Sequence, residues 1–293
     1  MAPRVGFIGL GAIGRPMAVR VADRFDCMVW NRTASRADSF GRETGAAVAA
    51  DPAALVRWAD VVMTCLPTST EVRDVVDGVG GAWRTDHLLV DCTSGDPAAS
   101  RAIAERLSHA GVHFVDAPVS GGTSAATQGA LTVMLGGAEP GISRAREIVS
   151  AFAGKVVHVG SVGTGHALKA VNNALLAVNI QAAGEGLAAL VKLGVSGEVA
   201  LEVINASSGR SNVTENLIPQ RVLTRRWPRT FRLALLDKDI GIALKVLQET
   251  GVPHAAIGVV REAFAQGRKA LGEEADHVEL IKEIEQAAGV EIR

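Results

Sequence analysis

Lys169, Asn172 and Asn173 stand in an otherwise apolar run with Ala167, Leu168, Val171, Leu175 and Leu176. Residues three and four apart share a helix face, so the ammonium and both carboxamides fall together. Burying them is costly unless they border a polar cavity or find partners. The cluster is therefore a binding surface, or a set of satisfied core amides with a lysine reaching for solvent. A second constellation is Gly9, Gly11 and Gly14, with Leu10, Ala12 and Ile13 between them. It follows the apolar run Val5–Ile8 and precedes a helical pattern, the order a dinucleotide site needs. Gly9 permits the tight turn, Gly11 lets a pyrophosphate approach the backbone, and Gly14 lets the helix pack close. The N–H groups at the helix start face the phosphates.

A third constellation, Ser120-Gly121-Gly122, ends one apolar run and precedes a helix-like stretch. Two glycines leave N–H groups open and the serine adds a donor. The segment is a cradle for a carboxylate or phosphate, or a plain turn. Thr93 and Ser94 follow the run Leu89–Cys92; their hydroxyls bind a ligand or cap the helix that starts near Pro97. Arg210 and Ser211, in a glycine-containing loop, are substrate contacts or surface residues.

About twenty residues beyond the glycines the chain reads Asn31-Arg32-Thr33. A carboxylate here accepts the ribose 2′-hydroxyl of NAD. Neutral Asn31 lacks that charge, and Arg32 offers a bidentate partner to a 2′-phosphate. NADP is favoured over NAD, the other reading of Arg32 being a solvated surface arginine.

Short strands must position these groups: Val5–Gly9, Cys27–Asn31, Ala46–Val48, Val61–Leu66, Leu88–Cys92 and His113–Asp116, alternating with amphipathic helices. That alternation predicts an α/β fold with a Rossmann-type doubly wound parallel sheet. Leu131–Leu135 and Val156–Val159 extend it. Beyond Gly160 the strand signal stops. One helix of about thirty residues, or ~45 Å, spans Gly163–Leu193, and further helices lie near 198–206, 215–223, 236–249, 255–271 and 278–288. The expected domains are residues 1–162, binding the dinucleotide, and an all-helical 163–293. So long an apolar helix calls for a partner subunit, predicting a homodimer or homotetramer.

Of the 293 residues 48% are hydrophobic and 21% charged, an ordinary globular composition. The net charge of −1 gives no case for nucleic acid or an acidic membrane. Asn179, Gln181 and Glu185 make Ala174–Val191 too polar to span a bilayer. With no secretory leader read at the start and Cys27, Cys65 and Cys92 scattered in strand patterns, the expected setting is a reducing cytoplasm. The histidines and cysteines lack ligand spacing, so no metal site is expected.

Four segments together resemble the β-hydroxyacid dehydrogenase family: GFIGLGAIGRPMA (6–18), FVDAPVSGGTSAATQGALTVMLGG (114–137), GTGHALKAVNN (163–173) and KDIGIAL (238–244). They span nearly the whole chain in the family's order. The resemblance implies that Lys169 is catalytic and that Asn173, with Asn172 beside it, holds a small carboxylate-bearing substrate. It implies that Ser120, Gly121 and Gly122 take the substrate's carboxylate side. Ser94 and Lys238 would contact the cofactor or the reacting end, and Leu66 and Pro67 match the loop over the cofactor. Ile13 replaces the family's usual methionine, a tolerated change of similar volume. The implied activity is NADP(H)-dependent hydride transfer between a short β-hydroxyacid and its semialdehyde or keto acid, with Lys169 as general acid and base. Imine reductases share this architecture but usually lack a lysine at this position. A non-catalytic dinucleotide-binding homologue would be expected to lose Lys169 or Ser120-Gly121-Gly122. 6-Phosphogluconate dehydrogenases carry a much longer helical part.

Overall fold

A computed structural model describes residues 2–293. The chain forms two compact units, Met1–Lys169 and Ala170–Arg293. This division falls inside the long helix, seven residues beyond the boundary expected at 162/163.

In the first unit, strands and helices alternate: β1 (Val5–Ile8), α1 (Gly14–Ala22), β2 (Cys27–Trp30), α2 (Ala34–Thr44), β3 (Ala47–Val48), α3 (Pro52–Trp58), β4 (Val61–Thr64), α4 (Ser69–Gly78), β5 (Leu88–Asp91), α5 (Pro97–Ser108) and β6 (His113–Asp116). After these come β7 (Val119–Ser120), α6 (Gly122–Gln128), β8 (Leu131–Gly136), α7 (Gly141–Val149) and β9 (Ala153–Gly160). The sheet order is β3-β2-β1-β4-β5-β6-β8-β7, with β9 paired to β8. β1 to β6 are all parallel. β1, β4 and β5 are buried along their whole length, as strands covered on both faces must be. Alternate residues serve two cores: Phe7, Met63 and Val90 pack on one face, and Ile8, Val62 and Leu89 on the other.

The sheet departs from a purely parallel one at its far edge. β8 runs antiparallel to β6 and β7, while β9 is parallel to β8. A largely apolar run such as Leu131–Leu135 reads alike in either direction, so sequence pattern cannot report this reversal. Helix starts are locally encoded. Asp51 and Asp96 cap α3 and α5 ahead of a proline, and Thr68 with Glu71 forms a reciprocal capping box on α4.

The second unit holds most of α8 (Thr164–Lys192), then α9 (Gly197–Asn205), a wide π-type segment (Val213–Val222), α10 (Leu233–Glu249), α11 (Ala255–Leu271) and α12 (Leu280–Ala288). Its core gathers Ile180, Leu187, Val213, Leu236, Phe264 and Ile281. By length and composition α8 could cross a membrane; in this fold Ile180 and Leu187 are spent on that core. The helix expected near 215–223 is π-wound and contains Pro219. Proline has no N–H and its ring crowds the preceding turn, and the wider winding relieves both. Arg210 and Ser211 lie just ahead of it. Arg210 pairs with Glu215 on the surface, and Ser211 exchanges hydrogen bonds with Thr214.

Candidate functional site

The glycine loop joins β1 to α1, and its three glycines differ in what requires them. Gly9 has φ +105°, and a Cβ there would run into the Cys65 carbonyl oxygen. A Cβ on Gly14 would strike the Gly9 carbonyl oxygen. A Cβ on Gly11 would meet no heavy atom within 4 Å. The fold therefore demands Gly9 and Gly14 but leaves the space over Gly11 open, as a pyrophosphate needs. At the start of α1 no side chain caps the helix and no acidic residue occupies the first turn, so the N–H groups and the helix dipole suit an anion. These residues fit a dinucleotide.

Beside the loop lies a groove of about 640 Å³ lined by Leu10, Gly11, Ala12, Arg15, Ser35, Arg36 and Ser39. Arg15 pairs with Glu43 and lies over the Phe40 ring. Asn31 acts as a brace: its Oδ1 accepts from the Leu10 N–H at 2.9 Å and its Nδ2 donates to the Thr33 carbonyl at 3.0 Å. Arg32 and Thr33 are exposed just after β2. Arg36, one residue from Ser35 at the start of α2, adds a cation that the Asn31-Arg32-Thr33 reading missed. Its signal was a basic residue in the first turn of the helix after β2.

At the carboxyl ends of β4 and β5 a buried hydrogen-bond chain fixes the next loops. Asp91 Oδ1 accepts from Thr64 Oγ1 at 2.8 Å and from the Thr93 N–H at 3.0 Å. Thr93 Oγ1 accepts from the Leu66 N–H at 3.1 Å. The Thr93 hydroxyl is buried and holds the Leu66–Pro67 loop; Ser94 follows it. Ser120 pairs with Thr132 across β7 and β8. Gly121 (φ +133°) and Gly122 (φ +71°) turn the chain into α6, and a Cβ on Gly122 would meet open space.

Asp116 ends β6 with no exposed surface and clamps the start of α8. Its Oδ1 accepts from the Gly163 N–H at 2.7 Å and its Oδ2 from the His166 N–H at 2.9 Å. Burial raises its pKa above the usual carboxylate range, with His166 and the N–H donors acting in the opposite direction. Lys169 is half-buried one turn further along.

In the second unit, Asn173 is buried and its Nδ2 donates to Asp239 Oδ2 at 2.6 Å. Lys238 Nζ lies 3.2 Å from Asp239 Oδ1. Asn172 is exposed, and its Nδ2 donates to Asn173 Oδ1 at 3.2 Å. The two asparagines expected on one face are thus split, one turned in and one out. Asp239 was missed from sequence, although it directly follows Lys238. Burial pushes the Cys27 and Cys65 thiols up to about 12 and the Cys92 thiol well above its ordinary value, which makes them poor nucleophiles.

Residues 4–160 match the model of the NAD-binding domain of 6-phosphogluconate dehydrogenase. Residues 163–284 match that of the NAD-binding domain of NADP-dependent 3-hydroxyisobutyrate dehydrogenase. The 2-(hydroxymethyl)glutarate dehydrogenase of Eubacterium barkeri is 34% identical over 99% of this chain and 97% of its own. The chain belongs to the β-hydroxyacid dehydrogenase family. Its human relative, mitochondrial 3-hydroxyisobutyrate dehydrogenase, is 34% identical over 85% of this chain and 77% of its own. The 3-hydroxyisobutyrate dehydrogenase of Mycobacterium tuberculosis, solved with L-serine, superposes with a TM-score of 0.90 at 29% identity, covering 97% of this chain and 99% of that one. As a member of this family the protein is an NAD(P)-dependent dehydrogenase acting on CH–OH groups.

Proposed function

We propose that the protein interconverts a short β-hydroxyacid and its semialdehyde or keto acid with NADP(H), using Lys169 as general acid and base. The observation that carries this is a fixed polar group on an apolar helix. One turn after Lys169, the buried Asn173 amide is locked by Asp239 at 2.6 Å, and Lys238 stands beside that carboxylate. When bound, the nicotinamide supplies or accepts the hydride. Lys169 polarises the carbonyl oxygen as charge builds on it, then gives it a proton; in the other direction the neutral amine takes the hydroxyl proton. Asn173 orients the lysine or the substrate hydroxyl. Ser120 and the open N–H groups of Gly121 and Gly122 take the carboxylate. Ser94 and Lys238 contact the cofactor or the reacting end.

Arg32 and Thr33, with Arg36 and Arg15 in the neighbouring groove, suit a 2′-phosphate better than a bare ribose. The NADP-dependent description of the second matching domain supports this. The mycobacterial relative was solved with L-serine, itself a β-hydroxy acid, which supports the substrate class. The test is NADPH consumption with glyoxylate, succinic semialdehyde, methylmalonate semialdehyde, tartronate semialdehyde and a cyclic imine. Turnover of at least one aldehyde acid is expected, and Lys169→Ala should lower its kcat at least ~10²-fold, the scale of a lost general acid. Turnover of the imine alone, or near wild-type turnover in Lys169→Ala, overturns the reading.

A further inference from the structure

His166 lies on α8 one turn before Lys169 and is 1% exposed. Its Nδ1 is 2.6 Å from Ser100 Oγ on α5, and Ser100 Oγ in turn donates to the Asp96 carbonyl at 3.0 Å. Its Nε2 is buried without a hydrogen-bond partner, 3.9 Å from Asp91 Oδ2. The other oxygen of Asp91 holds Thr64 and the Thr93 N–H, and Thr93 holds the Leu66 loop. The ring therefore ties the first turns of α8 to the loops after β4 and β5 that carry Leu66, Pro67 and Ser94. Gly95 confirms how closely it is seated. A Cβ there would lie 2.8 Å from His166 Cε1 and 2.7 Å from Ser69 Oγ, and Ser69 Oγ accepts the Asp96 N–H at 2.9 Å. The backbone N–H of His166 is meanwhile held by Asp116.

We propose that His166 is a positioning residue for Lys169: its imidazole, wedged between Ser100 and Asp91, sets the rotation and advance of α8 against the cofactor loops and so fixes where the ammonium acts. The proposal rests on Lys169 being the general acid. The Asp116 clamp fixes the helix end along its axis, through two backbone N–H groups. His166 adds a side-chain tie to Ser100 on the face that meets the β5 loop. A leucine fills much of the ring's volume but cannot hydrogen-bond Ser100. A glutamine retains a donor and an acceptor.

The test measures kcat, KM for both substrates, NADPH binding by fluorescence and thermal unfolding for His166→Leu, His166→Gln and Gly95→Ala, the last displacing the ring without removing it. Misplacing a catalytic group by about 1 Å costs up to ~10²-fold. In His166→Leu kcat should fall roughly 10- to 100-fold with NADPH affinity within about twofold of wild type. His166→Gln should recover most of that loss, and Gly95→Ala should share it. In a Lys169→Ala background, His166→Leu should cause no further loss, since residues acting as a unit are non-additive. Three results overturn the proposal: wild-type kcat in a folded His166→Leu, no recovery by His166→Gln, or a His166→Leu loss that persists undiminished in Lys169→Ala. Should His166→Leu not fold, the glutamine and Gly95→Ala variants decide it: a wild-type kcat in Gly95→Ala refutes it. Failure of the Lys169 reading shows separately, in Lys169→Ala alone.

Discussion

Replacing Gly11 by alanine separates the needs of the ligand from those of the fold. The added methyl would meet no protein atom within 4 Å, and Gly11 does not require the left-handed backbone region. Removing a glycine at such a position reduces the freedom of the unfolded chain, stabilising the fold by up to ~1 kcal/mol. The midpoint of thermal unfolding without cofactor should hold or rise by no more than about 2–4 °C. The same methyl occupies the approach of the pyrophosphate. A phosphate oxygen can lie about 2.9 Å from a backbone nitrogen but cannot come so near a methyl carbon. Losing one charge-assisted hydrogen bond costs ~1.5–3 kcal/mol, a roughly 10- to 150-fold weaker NADPH affinity. Gly14→Ala is the contrast: its Cβ strikes the Gly9 carbonyl, and overpacking of that kind costs ~1–3 kcal/mol or more. Thermal unfolding of the free protein and titration of NADPH fluorescence are the two assays. If Gly11→Ala binds NADPH as well as wild type, or loses as much stability as Gly14→Ala, the assignment of Gly11 to the ligand is wrong.

Two further outcomes follow from charge. Arg32→Asp should weaken NADPH binding far more than NADH binding; equal losses in paired titrations would return Arg32 to the role of a surface residue. Burial and the neighbouring Arg84 lower the His87 pKa to about 4 from an ordinary 6.5, so the unfolded chain takes up this proton first. Its stability contribution is therefore full above pH 6.5 and is lost as pH falls toward 4, with a ceiling of ~3 kcal/mol. Urea unfolding across that range should show a drop that His87→Gln flattens, and parallel curves for the two proteins would refute the assignment.

The first six strands, the glycine loop and the long helix were legible because each is written in local spacing. The groups that hold the site in place were not. Asp116 reaches donors 47 and 50 residues away, Asn173 finds Asp239 across 66, and His166 finds Ser100 across 66. A period of two or of 3.6 residues carries no information about such pairs. The bounds of β7 were hard to read for another reason: two residues give no alternation to detect. The reversal of β8 left no trace in a run that is apolar but for Thr132. The Leu66 N–H that bonds the Thr93 hydroxyl lies on a neighbouring strand's loop, out of reach of local spacing.

The Asp116 clamp also bears on modularity. Cutting the chain at 162/163 would take away the two N–H donors, of Gly163 and His166, that α8 gives this carboxylate. Losing hydrogen bonds to a charged group costs ~1.5–3 kcal/mol each, a large share of the ~5–15 kcal/mol that holds a domain together. The nucleotide-binding half is thus not a cassette that can be exchanged intact. Any graft onto another helical half must carry the opening turns of α8 with it, so the recombination joint falls inside the helix that bears Lys169.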